Sequence, residues 1–140
     1  MPIDYTLCRD DHLCVTRFLG AVTVDEVQST YRRIFATVSS WPRVIEITDL
    51  SAQDTDGLTA SMVGDMAERI SGLVTQHGMS GECAIIAPTD AQYGLASIFY
   101  GRASFAGRGN ISVVRSHSDA AAFVGVSAQK IAGMLSGGSV

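Results

Sequence analysis

The residues with chemical potential are few and scattered. His12 and Cys14 alternate onto one face of an extended segment and could supply two metal ligands, but structural zinc wants four ligands and catalytic zinc three. Cys8 points to the other face, and His77 and His117 stand alone in loops. We therefore expect no metal site. Gly78-Met79-Ser80-Gly81 lacks the Gly-x-Ser-x-Gly spacing of a nucleophile elbow. Gly107-Arg108-Gly109 is too short for a dinucleotide fingerprint and precedes a strand instead of opening a helix. The acidic pairs Asp10-Asp11 and Asp25-Glu26 suit a turn and a helix start better than acid–base work. No cofactor and no catalytic residue is expected.

One polar constellation remains. In open α/β sheets ligands gather beyond the carboxyl ends of parallel strands. Here those ends supply Asp49 and Ser51, then Thr89, Asp90 and Tyr93, then Arg115, Ser116 and His117. One cation, hydroxyls and helix N-terminal amides suit a small anion or a partner's acidic loop, although each residue also serves as an ordinary cap. A second candidate is apolar. Met62 and Met66 with Tyr93, Phe99 and Tyr100 fall at helical spacing, and such side chains can line a cavity for a small apolar or lipid-like molecule.

The elements that must position these residues begin with a β-hairpin. Ile3 to Cys8 and Leu13 to Leu19 flank the polar turn Arg9-Asp10-Asp11-His12. With Asp10-Asp11 at its centre, Leu7 faces Cys14, Tyr5 faces Thr16 and Ile3 faces Phe18. Asp4, Thr6, Leu13, Val15 and Arg17 share the other, mixed and partly exposed face. This register opposes a Cys8–Cys14 disulfide.

Thr23 and Glu26 form a capping box, with Val22 and Val27 as its hydrophobic staple. The helix then presents Val27, Tyr31, Ile34, Phe35 and Val38, and ends at Ser39-Ser40-Trp41-Pro42. Val44 to Ile47 is a short strand entering a polar segment, Thr48 to Gly57. A second helix shows Leu58, Met62, Met66, Ile70 and Leu73 and stops at His77-Gly78. Cys83 to Ala87 reads as a strand buried on both faces. Thr89 with Gln92 repeats the capping box before a third helix bearing Tyr93, Ala96, Phe99, Tyr100 and Ala103 inward. Gly107 and Gly109 form a loop ahead of the strand Ile111 to Val114. Ser118 caps a helix over Asp119 to Val124, and Ser127 a last short one reaching Leu135.

The order ββαβαβαβα, with helices long enough to cross over, implies parallel pairing. We expect one α/β domain over 1–135, a five-stranded mixed sheet with an N-terminal antiparallel hairpin, and a flexible tail over 136–140.

Composition sets the outer bounds. With 46% hydrophobic and 17% charged residues the chain is globular, not disordered. Its net charge of −4, and basic residues scattered singly apart from Arg32-Arg33, argue against nucleic acid. No apolar run approaches a membrane span and the first residues lack a signal-peptide plan. Three cysteines without framework spacing suit the cytoplasm.

Thr16 to Thr23, Ala84 to Asp90 with Tyr93-Gly94-Leu95-Ala96, and Val113-Val114-Arg115 through Ser118 to Phe123 together resemble small bacterial proteins of the STAS-type, SpoIIAA-like family. That family includes anti-sigma factor antagonists and is related to lipid-binding CRAL-TRIO domains. The resemblance implies the same fold and a non-enzymatic regulatory role through a protein partner or homo-oligomer, with binding of an apolar ligand as the alternative. Antagonists carry a phosphorylatable serine in an Asp-Ser-Ser-Gly loop. The nearest stretch here is Asp54-Thr55-Asp56-Gly57, where Asp56 replaces that serine and Thr55 or Ser51 would have to substitute.

Overall fold

The computed structural model describes residues 2–105 and 110–136. It contains strands β1 (Ile3–Cys8), β2 (Leu13–Phe18), β3 (Ile45–Asp49), β4 (Cys83–Ile86) and β5 (Ile111–Val114). The helices are α1 (Val24–Val38), α2 (Ala60–His77), α3 (Asp90–Phe105), α4 (His117–Val124) and α5 (Ala128–Leu135). The strands form one sheet in the order β1-β2-β3-β4-β5, antiparallel at β1–β2 and parallel thereafter. This is the α/β order expected, closed by two short helices.

The hairpin register is the expected one, with Ile3 opposite Phe18, Tyr5 opposite Thr16 and Leu7 opposite Cys14. His12 makes the turn possible by adopting φ 51°, a conformation uncommon outside glycine. The helix starts follow their sequence signals. The Thr23 hydroxyl accepts the Glu26 N–H at 3.1 Å while the Glu26 carboxylate accepts the Thr23 N–H at 2.8 Å. Thr89 and Gln92 repeat this exchange at α3. Gly78 ends α2 at φ 62°, where a Cβ would be strained.

Two cores flank the sheet. On one face α1, α2 and α3 pack over Cys14, Phe18, Cys83 and Ile85 through Val27, Tyr31, Ile34, Phe35, Met66, Ile70, Leu73, Ala96 and Ala103. On the other, Leu13, Val15, Ile45, Ile47, Ala84 and Ile86 meet Ala120, Val124, Ile131, Met134 and Leu135. That second core corrects the expectation of a mixed, partly exposed face for β2. Leu13 and Val15 are buried, because α4 and α5 fold back across a face that the hairpin alone leaves open.

Other differences are local. Thr48 and Asp49 belong to β3, not to the following polar loop, and both are buried; their backbone pairs with β2 and β4 on either side. The α2 cap is Thr59, whose hydroxyl accepts the Met62 N–H at 3.1 Å. Upstream of it, the Asp54 carboxylate accepts the Asp56 N–H and the Thr55 carbonyl accepts the Leu58 N–H, each closing a turn. Ser116, not Ser118, caps α4 by accepting the Asp119 N–H. Ser127 caps α5 as expected. Met62 is only partly buried, and Val63 and Ala67 join Met66 and Ile70 inside. Tyr100 is exposed and Tyr93 half-buried, so α3 turns mainly its small residues Ala96 and Ala103 inward. Cys8, Cys14 and Cys83 are not joined in disulfides. The expected glycine loop (residues 107 and 109) and tail residues 137–140 lie outside the described residues. Ser136, assigned to that tail, closes α5 by donating its N–H to the Ala132 carbonyl.

Candidate functional site

The face of β3 under the three crossover helices is unusual for a central strand. Side chains alternate along it, so Glu46 and Thr48 project to the same side. Register places Cys14 and Cys83 beside Glu46, and Thr16 and Ile85 beside Thr48. Glu46 and Thr48 are 4% and 7% exposed. Tyr31 reaches down from α1, and its phenol shares a 3.0 Å hydrogen bond with the Thr48 hydroxyl.

Of these residues Tyr31, Glu46 and Thr48, all nearly fully buried, line a cavity of about 70 Å³ between the sheet and the helices and make up its polar inner part. One water needs only roughly 10–15 Å³. Most of the remaining lining is apolar: Phe18, Val27, Leu50, Val63, Met66, Ile70, Cys83, Ile85, Ala96 and Phe99. Gln53, Leu58, Leu95 and Phe99, all half-exposed, mark the outer end. The cavity is therefore polar at its depth and mostly apolar at its mouth. Burial, and then the Glu46 carboxylate, push the Tyr31 phenol far above its ordinary range. Burial first and Glu46 second do the same to the Cys14 thiol. Both groups stay protonated at neutral pH, so Tyr31 keeps a hydroxyl proton.

Of the residues expected to line an apolar pocket, Met66 and Phe99 do so. Met62, Tyr93 and Tyr100 are not among its walls. Tyr31, Glu46 and Thr48 escaped sequence reasoning. The available signal was an acidic residue and a threonine at alternate positions of a strand covered on both faces, where apolar residues are the norm.

The strand-end constellation is assembled but internally engaged. Arg115 donates to the Asp90 carboxylate at 2.9 Å and to the Pro88 carbonyl at 3.1 Å, and lies 4.2 Å over the Tyr93 ring. Asp49 accepts the Ser51 N–H at 3.0 Å and lies 3.9 Å from His117. Thr89 and Ser116 cap helices. The buried Gln92 donates to the Ser51 and Gln53 carbonyls, fastening the β3–α2 loop to α3. Arg115 thus faces a carboxylate already in place, and the group is poorly suited to an incoming anion. Ser51 is exposed and Thr55 half-exposed in the loop. Among the described residues no group of three or more His, Cys, Asp or Glu side chains could hold a metal ion, and no helix is long and apolar enough to cross a membrane.

No protein-family model and no curated protein matches the sequence. Among solved structures the chain is similar to an uncharacterized DUF3478-family protein with a SpoIIAA-like fold from Shewanella loihica PV-4. The TM-score is 0.56 at 18% identity, covering 87% of this chain and 91% of that one. The sheet order, the antiparallel hairpin and this likeness agree: the chain has the SpoIIAA-like fold.

Proposed function

We propose that this is a non-enzymatic binding module whose crossover-helix cavity holds a small, mainly apolar molecule. The observation that supports it is the cavity itself, lined by aliphatic and aromatic side chains with a few polar groups among them, the usual composition of a small-molecule site. The sequence favours a regulatory protein-partner role first; on the strength of the cavity we put ligand binding ahead of it. A protein partner or self-association is the second reading, favoured by the exposure of Tyr100 (40%) and Phe123 (39%). These aromatics sit on α3 and α4, on opposite faces of the sheet, and so do not form one patch.

Titration with n-hexane, followed by methyl and amide NMR, tests the first reading. Shifts should centre on Met66, Ile85 and Phe99. Ala96→Leu, which adds volume at the cavity wall, should abolish them. Shifts that ignore the cavity, or that survive the filling substitution, would overturn the proposal. Sedimentation of the purified protein over a concentration series tests self-association.

A further inference from the structure

The cavity's polarity narrows the kind of molecule it takes, and this step rests on the binding reading above. Tyr31 and Thr48 are 5% and 7% exposed, line the cavity, and share one hydrogen bond. Each hydroxyl carries one proton. Whichever donates to the other, the second proton is left over, and among the described residues no further hydrogen bond to either hydroxyl is formed. A buried donor of this kind costs free energy unless it finds an acceptor. The residues lining the cavity include no Lys, Arg or His, so an anionic head group would lose its hydration there with no cation to replace it, which is costly. The mouth, at Leu58, Leu95 and Phe99, offers mainly apolar contact.

We infer that the ligand is a neutral molecule with an oxygen acceptor on an apolar body, a ketone or alcohol, which enters oxygen first so that the oxygen accepts from the Tyr31–Thr48 hydroxyl pair. The body lies along Met66 and Ile85 toward the mouth. The absence of a cation from the lining disfavours fatty-acid-like anions.

The test compares 2-hexanone, hexanoate and n-hexane on the full chain and on Tyr31→Phe/Thr48→Val, by NMR titration. We expect hexanoate to bind at least tenfold more weakly than 2-hexanone. The double variant should lose about five- to tenfold in ketone affinity, the effect of one hydrogen bond, while n-hexane binding is kept and shows that the cavity is intact. Hexanoate binding as well as the ketone, or ketone affinity unchanged in the double variant, would overturn the inference while leaving hexane binding and the broader reading in place. If none of the three probes shifts the cavity residues, the binding reading falls and this inference with it.

Discussion

Gly81, just before β4, is where the fold tolerates least change. Its φ is +127°, and a Cβ there would lie 2.0 Å from the Val44 carbonyl oxygen and 2.8 Å from the carbonyl carbon. Ordinary contact begins near 3.4 Å, so Gly81→Ala must part the entries to β3 and β4 by more than an ångström. Two hydrogen bonds cross that junction, Val44 N–H to Ser80 at 2.8 Å and Glu46 N–H to Glu82 at 2.9 Å. Losing both costs about 2 kcal/mol net, and backbone strain adds about 1–3 kcal/mol. The expected total, about 3–5 kcal/mol, is a large share of a domain stability of about 5–15 kcal/mol. Gly78→Ala is the control: it shares the positive φ, at 62°, but its Cβ meets nothing within 4 Å. It should cost only about 1–2 kcal/mol. Urea unfolding followed by Trp41, the sole tryptophan and half-buried beside this junction, reads both variants. Failure of Gly81→Ala to fold while Gly78→Ala folds also meets the expectation. Equal losses in the two, within about 0.5 kcal/mol, would refute the steric argument.

Cap assignments are checked the same way. Thr59→Ala and Ser116→Ala should each cost about 1 kcal/mol, whereas Thr55→Ala and Ser118→Ala should cost little; reversed costs would contradict the helix starts described. Thiol accessibility follows burial: a disulfide reagent should modify one cysteine, Cys8, quickly in the native protein, and Cys14 and Cys83 only in urea. Rapid native modification of two or three would be inconsistent with the packing of β2 and β4. Alkaline stability follows from Cys14. Its folded thiol is held above the ordinary value of 9.0 by burial and then by Glu46. Above pH 9 the unfolded chain therefore releases a proton that the folded chain keeps. The stabilisation is full below pH 9 and falls as pH rises, by about 1.4 kcal/mol per unit. Cys14→Ala should flatten the decline in urea midpoint between pH 9 and 10, and parallel declines would refute it.

Where a local pattern has one solution, the sequence and the structure agree. The hairpin register follows from pairing apolar with apolar across a short polar turn, and Thr23, Thr89 and Ser127 sit where a hydroxyl can reach an N–H three residues on. The disagreements arise where the deciding partner is distant. Leu13 and Val15 are buried by α4 and α5, more than a hundred residues later in the chain. Thr48 and Asp49 look like loop residues until β2 and β4 pair with them. In α3 Tyr93 and Phe99 do pack against the core, but only in part, while Tyr100, which looks like a core residue, is exposed; Tyr93 also lies under a guanidinium that arrives from the end of β5. The strand-end cluster was legible as a place but not as a closed set of contacts, because spacing does not say that Arg115 reaches Asp90.

The two faces of β3 differ in a way that bears on function. Toward α4 and α5 the strand presents Ile45 and Ile47, and neighbouring strands add Leu13, Val15, Ala84 and Ile86. Toward α1, α2 and α3 it presents Glu46 and Thr48, and its neighbours add Cys14, Thr16, Cys83 and one aliphatic residue, Ile85. Both faces are covered by helices, so solvent does not account for the contrast. Burying polar groups is unfavourable relative to well-packed aliphatics even when they are hydrogen-bonded, and the aliphatic face shows that this sheet accommodates such packing. Sequences depart from the stable choice mainly at functional positions. The departure here coincides with the cavity. Tyr31→Phe/Thr48→Val removes both hydroxyls together and should therefore leave the fold intact and be close to neutral in urea while removing discrimination between 2-hexanone and n-hexane. A large loss of stability would instead mark these residues as structural and remove the chief argument that the polar inner end exists to meet a ligand.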